Sequence, residues 1–355
     1  MTVVRKRTLI LTLVIVIGFL LGISLLVSKV LLKEKEPIIT LTVVEDEPSL
    51  LHLPLYVALQ QGYFEGQGIR VRLAQGTRAG SNDEGIPNAD VVFTDPVAFL
   101  FHKAVRPAAP VIVTTVAGHD GTFLLAKEKE DFSWNNLKEK RVISFPPETG
   151  PGLALDKKLR DNGLTPFRDT GIYHRIPQDL RLGAFKSGTA DYIQLAGIQA
   201  LTAEQDGTGF IATPVGDRED AFPAVLCAVS RETINKQPQA VQIFVNGLYK
   251  AQLYMAREPE LGLKAAHKFL SKNERQQTDS LLEQYVAMGM WQPLPGLDEK
   301  TFGALVQAME VSGQLPAPVK FSSTVNNDYA RQAAETVQYI PPEERDKNWL
   351  QKLFS

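Results

Sequence analysis

Five short segments of this chain place polar or titratable residues where a strand gives way to a helix or a crossing. Their types suit holding a small molecule by hydrogen bonds rather than making or breaking bonds. Ser49-Leu-Leu-His-Leu53 lies between a strand and a helix, where the Ser49 hydroxyl and the His52 imidazole could face a cleft; an exposed or structural histidine is the plain reading of His52. Gly76-Thr-Arg-Ala-Gly-Ser81 follows a second strand, and its glycines would let backbone amides approach an anion beside Thr77 while Arg78 neutralises it. It lacks the Gly-Lys-Ser/Thr ending of a P-loop, so a surface turn is the rival reading. Thr94 and Asp95 end a third strand and can cap the next helix. His119-Asp-Gly-Thr-Phe123 sets His119 and Asp120 at a crossing, as a hinge hydrogen bond or a ligand contact. In Phe145-Pro-Pro-Glu-Thr-Gly-Pro-Gly152, Thr149, Gly150 and the following amides would turn the positive end of a helix toward an anion. Glu148 beside them would repel that anion unless it points outward, which leaves a ligand with an amine or amidine group as an open alternative.

Catalytic signatures are missing from the sequence. The five histidines, His52, His102, His119, His174 and His267, show no HExxH or His-x-His spacing, and no GxSxG elbow or glycine-rich dinucleotide fingerprint occurs. The single cysteine, Cys227, rules out an internal disulfide and lies in the apolar run Ala224 to Val229, where a small buried hydrophobe is expected. These features argue against an enzyme, and for no catalytic residue, metal or cofactor. A net charge of −2 gives no electrostatic footprint for nucleic acid, and 44% hydrophobic with 22% charged residues is the balance of a globular protein.

The elements that must position these residues follow from the pattern. Ile38 to Val44 is a β-branched strand, Pro54 opens a helix that Gly62 closes, and Ile69, Val71 and Leu73 alternate as a second strand. Strands are predicted at Asp90 to Phe93, Val111 to Val116, Arg141 to Phe145, Ile172 to Ile176, Tyr192 to Leu195 and Gly209 to Pro214, with helices ending at Gly163 and Gly188. Alternation of this kind predicts an α/β fold with largely parallel sheets. After a return through Ala224 to Val229 the chain reads as helical. Ala240, Phe244, Leu248 and Ala251 form a core-facing stripe, and Asn273, Asp298 and Asn327 are expected N-caps. Crossings near Ala117 to Ala126 and Phe222 to Val229 predict a discontinuous lobe I, residues 38–121 and 225–355, and an inserted lobe II, residues 122–224. Two facing lobes put two carboxyl edges of strands around one hinged cleft, where α/β sheets bind ligands.

The N-terminus meets a different solvent. Residues 1–7 carry Arg5-Lys-Arg7, and the apolar run Thr8 to Val27 within residues 8–32 supplies the roughly twenty residues needed to cross a hydrocarbon core of about 30 Å. A cytoplasmic N-terminus and an uncleaved transmembrane anchor are expected, a cleaved signal peptide being the alternative; residues 33–37 are a charged linker. No cysteine follows the apolar run, so lipoprotein-type acylation is excluded.

The words Pro54-Leu-Tyr-Val-Ala58, Gly62-Tyr-Phe64 and Gly68-Ile-Arg-Val71, then Ala89-Asp-Val-Val-Phe-Thr-Asp95, Asn136 to Ile143 and Lys186-Ser-Gly-Thr-Ala-Asp191, resemble in order and spacing the solute-binding proteins of ABC importers for nitrate, sulfonates, taurine and thiamine-pyrimidine precursors. Glu139 stands where that pattern has glycine, and Asp191 is followed by Tyr192. The resemblance implies a two-lobed periplasmic-binding-protein fold of the second type that closes on a small solute and hands it to a permease and ATPase. It also places the 145–152 loop, Tyr192 and Gln194 at the pocket. The expected function is thus the membrane-tethered, extracytoplasmic solute-binding component of an ABC importer. A sensory ectodomain using the same lobes is the alternative.

Overall fold

The strand–helix–strand opening forms as its residues dictate. The computed structural model describes residues 38–76, 89–106, 108–218, 222–270, 275–294 and 296–345. Within them β1 spans Ile39–Glu45, α1 Leu53–Gln60 and β2 Ile69–Gln75. Pro54 occupies the first turn of α1, where its missing N–H costs nothing, and Gly62 at φ 66° carries the chain past the helix end. Next come β3 (Val91–Thr94), α2 (Pro96–Val105) and β4 (Val111–Ala117), the last buried along its whole length. The expected transmembrane segment, residues 8–32, and the linker, residues 33–37, lie outside the described residues. Among the described residues no helix is long and apolar enough to cross a membrane.

Beyond Gly121 the chain builds a second sheet from β5 (Thr122–Ala126), β6 (Arg141–Ile143), β7 (Gly171–Tyr173), β8 (Tyr192–Ala196) and β9 (Phe210–Pro214). Helices α3 (Gly150–Asp161), α4 (Gln178–Lys186) and α5 (Gly197–Gln205) link its strands. Strand β10 (Val225–Val229) then returns to the first sheet. The strand orders are β2-β1-β3-β10-β4 and β7-β6-β8-β5-β9.

The expectation of largely parallel sheets holds only in part. β1 runs parallel to β3, and β6 parallel to both β7 and β8. β10 runs antiparallel to β3 and β4, and β5 antiparallel to β8 and β9. The physical reason is the route of the chain. A strand that arrives from the other sheet enters at the carboxyl edge and must run backward through its new neighbours.

The described residues from Thr40 to Arg345 form one compact unit. Its carboxyl-terminal part is helical: α6 (Arg231–Lys236), α7 (Pro238–Met255), α8 (Pro259–Phe269), α9 (Arg275–Met288), α10 (Glu299–Val311), α11 (Phe321–Thr324) and α12 (Asp328–Thr336). The stripe Ala240, Phe244, Leu248 and Ala251 is buried as α7 packs on α1 and α12. Asp298 caps α10 by accepting from the Thr301 amide at 2.8 Å. Asn327 does not cap α12; its side chain turns back to bond the amide and carbonyl of Leu297 at 3.1 and 2.7 Å. Asn273 lies outside the described residues. One buried apolar cluster reaches from Leu100 and Leu226 through Leu124 and Leu155 to Phe302 and Leu305, so the two sheets and α10 share a core.

Gly163 and Gly188 end their helices at φ 77° and 90°, a backbone conformation that glycine adopts without a side-chain clash. Glu139, the residue that stands in place of glycine, is exposed and held at φ 61°, its amide donating to the Asp169 carbonyl at 2.7 Å. An L residue in the left-handed region costs about 1–2 kcal/mol, and an exposed side chain returns little of that. Glu139→Gly is therefore expected to stabilise the protein by roughly 1 kcal/mol, net of glycine's greater unfolded-state entropy. A urea melt of the two proteins checks this, and an equal or lower midpoint for the glycine variant would refute the strain argument.

Candidate functional site

At the carboxyl end of β1 the backbone delivers a carboxylate into a closed environment. Glu45 is buried, and its Oε2 accepts from the Tyr56 hydroxyl at 2.6 Å and pairs with His52 Nδ1 at 2.7 Å. His52, also buried, lies edge-on to Phe93 at 5.4 Å. Burial, together with the hydrogen bond to Glu45, pushes the Tyr56 phenol far above its ordinary range. Ser49 is used as a cap: its hydroxyl accepts from the Leu51 amide at 3.2 Å and its own amide donates to the Tyr56 hydroxyl at 3.2 Å.

At the end of β3 a second carboxylate serves two helices. Asp95 Oδ1 accepts from the amides of Val97 and Ala98, at 2.8 and 3.0 Å, capping α2. Its Oδ2 accepts from the Gly150 amide at 2.7 Å, in the first turn of α3 on the other sheet. One carboxylate thus sits at two positive helix ends. A side chain at residue 150 would collide with Asp95 Oδ2, and one at residue 152 with the Pro146 carbonyl, so both glycines are required by close approach. Thr149 caps α3 through the Gly152 amide at 3.3 Å and donates to the Pro146 carbonyl at 2.7 Å. Thr94 is buried and donates to the Asp95 carbonyl at 3.2 Å. Glu148 is exposed, and Arg181 stacks over the Phe145 ring at 5.1 Å. Burial raises the Asp95 carboxyl above its usual value, the three amide bonds opposing the shift.

The crossings hold the third acid. His119 and Asp120 are both buried. Asp120 Oδ1 accepts from the Thr122 amide at 2.9 Å and from the Thr122 hydroxyl. That hydroxyl in turn accepts from Gln194 Nε2 at 2.8 Å. Gln194 is wholly inaccessible and fully used: Nε2 also donates to the Pro151 carbonyl at 2.9 Å, and Oε1 accepts from Ser144 Oγ at 2.8 Å. The network ties the 144–151 loop to the crossing. Desolvation pushes Asp120 up to about 6, Asp95 adding to the shift. Tyr285 arrives from α9 to donate to the Gly121 carbonyl at 2.6 Å, its ring stacked on Phe123. A side chain at Gly197, the start of α5, would strike Tyr285 and Leu281.

The structure therefore brings Asp95 to Gly150 and Thr149, and Asp120 to Gln194 through Thr122. Tyr192 lies apart from them. It pairs with Ala126 at the end of β5 remote from Thr122, and its hydroxyl donates to Glu130 Oε1 at 2.7 Å. Thr77 and Arg78 lie outside the described residues. Thr122 and Tyr285 were absent from the sequence candidates. The Asp-Gly-Thr turn could have pointed to Thr122, whereas nothing local connects Tyr285 to residue 121. Among the described residues no three His, Cys, Asp or Glu side chains are grouped to hold a metal ion. What the set can do is present carboxylate, imidazole, hydroxyl and amide groups to a molecule lying between two strand edges.

Residues 50–261, more than half of the chain, match the model of the family described as NMT1/THI5 like. The binding protein YtlA of Bacillus subtilis (strain 168) is 26% identical over 310 residues, covering 84% of this chain and 91% of YtlA. In fold the chain is similar to the periplasmic sulfonate-binding protein SsuA from Methylobacillus flagellatus KT, with TM-score 0.65, 15% identity, and coverage of 84% of this chain and 95% of that one. It is similar also to the periplasmic nitrate-binding protein NrtA from Synechocystis PCC 6803, with TM-score 0.62, 13% identity, and coverage of 86% and 90%. At these identities the two structures establish the shared fold.

An acid whose folded pKa lies above its unfolded value favours folding when protonated, so ionising Asp120 costs stability as pH rises from about 4 through about 6. Asp120→Asn removes that cost while keeping an acceptor for Thr122. Its stability relative to wild type is expected to rise across that window by up to about 3 kcal/mol and to level off above it. Denaturation at pH 4, 5, 6 and 7.5 checks this; a difference independent of pH would show that Asp120 titrates normally.

Proposed function

The chain belongs to the NMT1/THI5-like family, and from that premise we propose that it is the extracytoplasmic solute-binding component of an ABC importer. In this reading lobe I is residues 38–121 and 225–355 and lobe II is residues 122–224. A small solute is captured in the cleft between them, and residues 8–32 tether the chain to the membrane. The observation that carries the reading is the Asp95 to Gly150 hydrogen bond, in which the end of β3 on one sheet meets the amino end of α3 on the other. Ligands of α/β sheets bind outside the carboxyl ends of strands, and here two such edges face each other across a double crossing.

Capture needs no bond chemistry. A solute that touches both edges stabilises the closed arrangement by as much as it binds that form better than the open one. Permease and ATPase subunits would then read the closed pair of lobes. Sulfonates, nitrate, taurine and thiamine-pyrimidine-like molecules are the solute classes considered. The candidate contacts are His52, Asp95, His119, Asp120, Thr149 and Gly150, which the fold gathers at the two edges and the crossing.

A thermal-shift screen of the full chain against ethanesulfonate, taurine, nitrate, aminopyrimidines and thiamine tests the proposal, with small-angle scattering on each hit. One class is expected to stabilise the protein, by ~2.7 kcal/mol at a hundred times its dissociation constant, and to reduce the radius of gyration. Folded protein that neither shifts nor compacts with any of them would sink the receptor reading.

A further inference from the structure

The amino end of α3 is a place where an oxyanion can sit, because one already does. Asp95 Oδ2 accepts from the Gly150 amide at 2.7 Å, and the absence of a side chain at residue 150 is what admits it. Resting on the receptor reading above, we propose that Asp95 is a specificity-determining residue that acts as a built-in competitor for oxyanions, excluding sulfonate- or sulfate-like groups from α3 and leaving the cleft to solutes that present a hydrogen-bond donor there.

Three observations support this. The carboxylate is fixed at its own end by the Val97 and Ala98 amides, so it is held in place without a solute. A tethered competitor works at an effective concentration of mM or above, which a free anion has to overcome. An anion that did displace it would remain close to two negative groups, Asp95 itself and Asp120, whose buried carboxyl the Asp95 charge helps to push up. Glu45, fixed between His52 and Tyr56 at the end of β1, adds a third carboxylate to the same edge of the first sheet.

The test is Asp95→Ser in the full chain. Serine still caps α2, but it is too short to reach Gly150, so α3 is freed without unfolding the helix that precedes it. Inorganic sulfate and ethanesulfonate serve as probes, with binding measured by calorimetry. The serine variant is expected to bind them at least tenfold more tightly than wild type. Asp95→Asn, which keeps the shape and loses the charge, is expected to show a smaller gain and covers the case in which the serine variant does not fold. Wild type that binds either probe as tightly as the variants, or folded variants that gain nothing, would overturn the proposal. The receptor reading is judged separately. A solute that closes wild type while the variants gain no anion affinity removes only the competitor; variants that gain it in a protein no solute closes remove only the receptor.

Discussion

The rest of the structure depends on the way the chain passes twice between the sheets. Where it leaves β4 and re-enters at β10, the two crossings are stitched to each other. The Val215 amide donates to the Thr122 carbonyl at 2.9 Å and the Ala224 amide to the Ala117 carbonyl at 3.0 Å. Gly216 lies so near the Asp120 backbone that a side chain there would collide with it. Paired backbone of this kind holds the two crossings together. It accounts for the reversed strands β5 and β10, for the burial of Asp120, and for the opposition of two strand edges that the functional reading requires.

Elements with a local cause were legible from residue types alone. Pro54 and Gly62 bounded α1, Asp95 with Pro96 began α2, and Thr149 began α3, because caps and turn residues act over three or four positions. Glu139 was noted only as a departure from a glycine pattern; its left-handed backbone emerges from the structure. What was not legible depends on distant partners. The reversal of β5 and β10 follows from chain routing, and Tyr285 reaches Gly121 across 164 residues. Asn327 had the right type and position to cap α12, yet it is taken by Leu297, 30 residues away. Tyr192 and Gln194 lie two residues apart on one strand, and both are buried; only register against β5 separates a residue near the crossing from one at the opposite end.

Polar groups at the site largely satisfy one another. Gln194 uses both ends of its amide on Thr122, Pro151 and Ser144, and Asp95 uses both oxygens on three amides. Inside a protein such networks hold geometry firmly, since any member left unpaired is costly. The loop that starts α3 is therefore fixed from two directions, by Gln194 beneath and Asp95 opposite. The apolar cluster shared through α10 adds a second coupling between the sheets, one that does not depend on charge.

Trp291 carries a practical consequence. Its indole N–H donates to the Leu51 carbonyl at 3.4 Å and its ring meets Tyr285 edge-on at 5.8 Å, while Tyr285 holds the Gly121 carbonyl. This buried indole therefore bridges the loop after β1 and the aromatic residue that grips the crossing. Trp134, paired with Phe132 near the second sheet, has no such attachment to the crossing. The protein thus carries a native fluorophore beside the double crossing, whose emission would report any change in how Tyr285 packs against that segment without an attached dye.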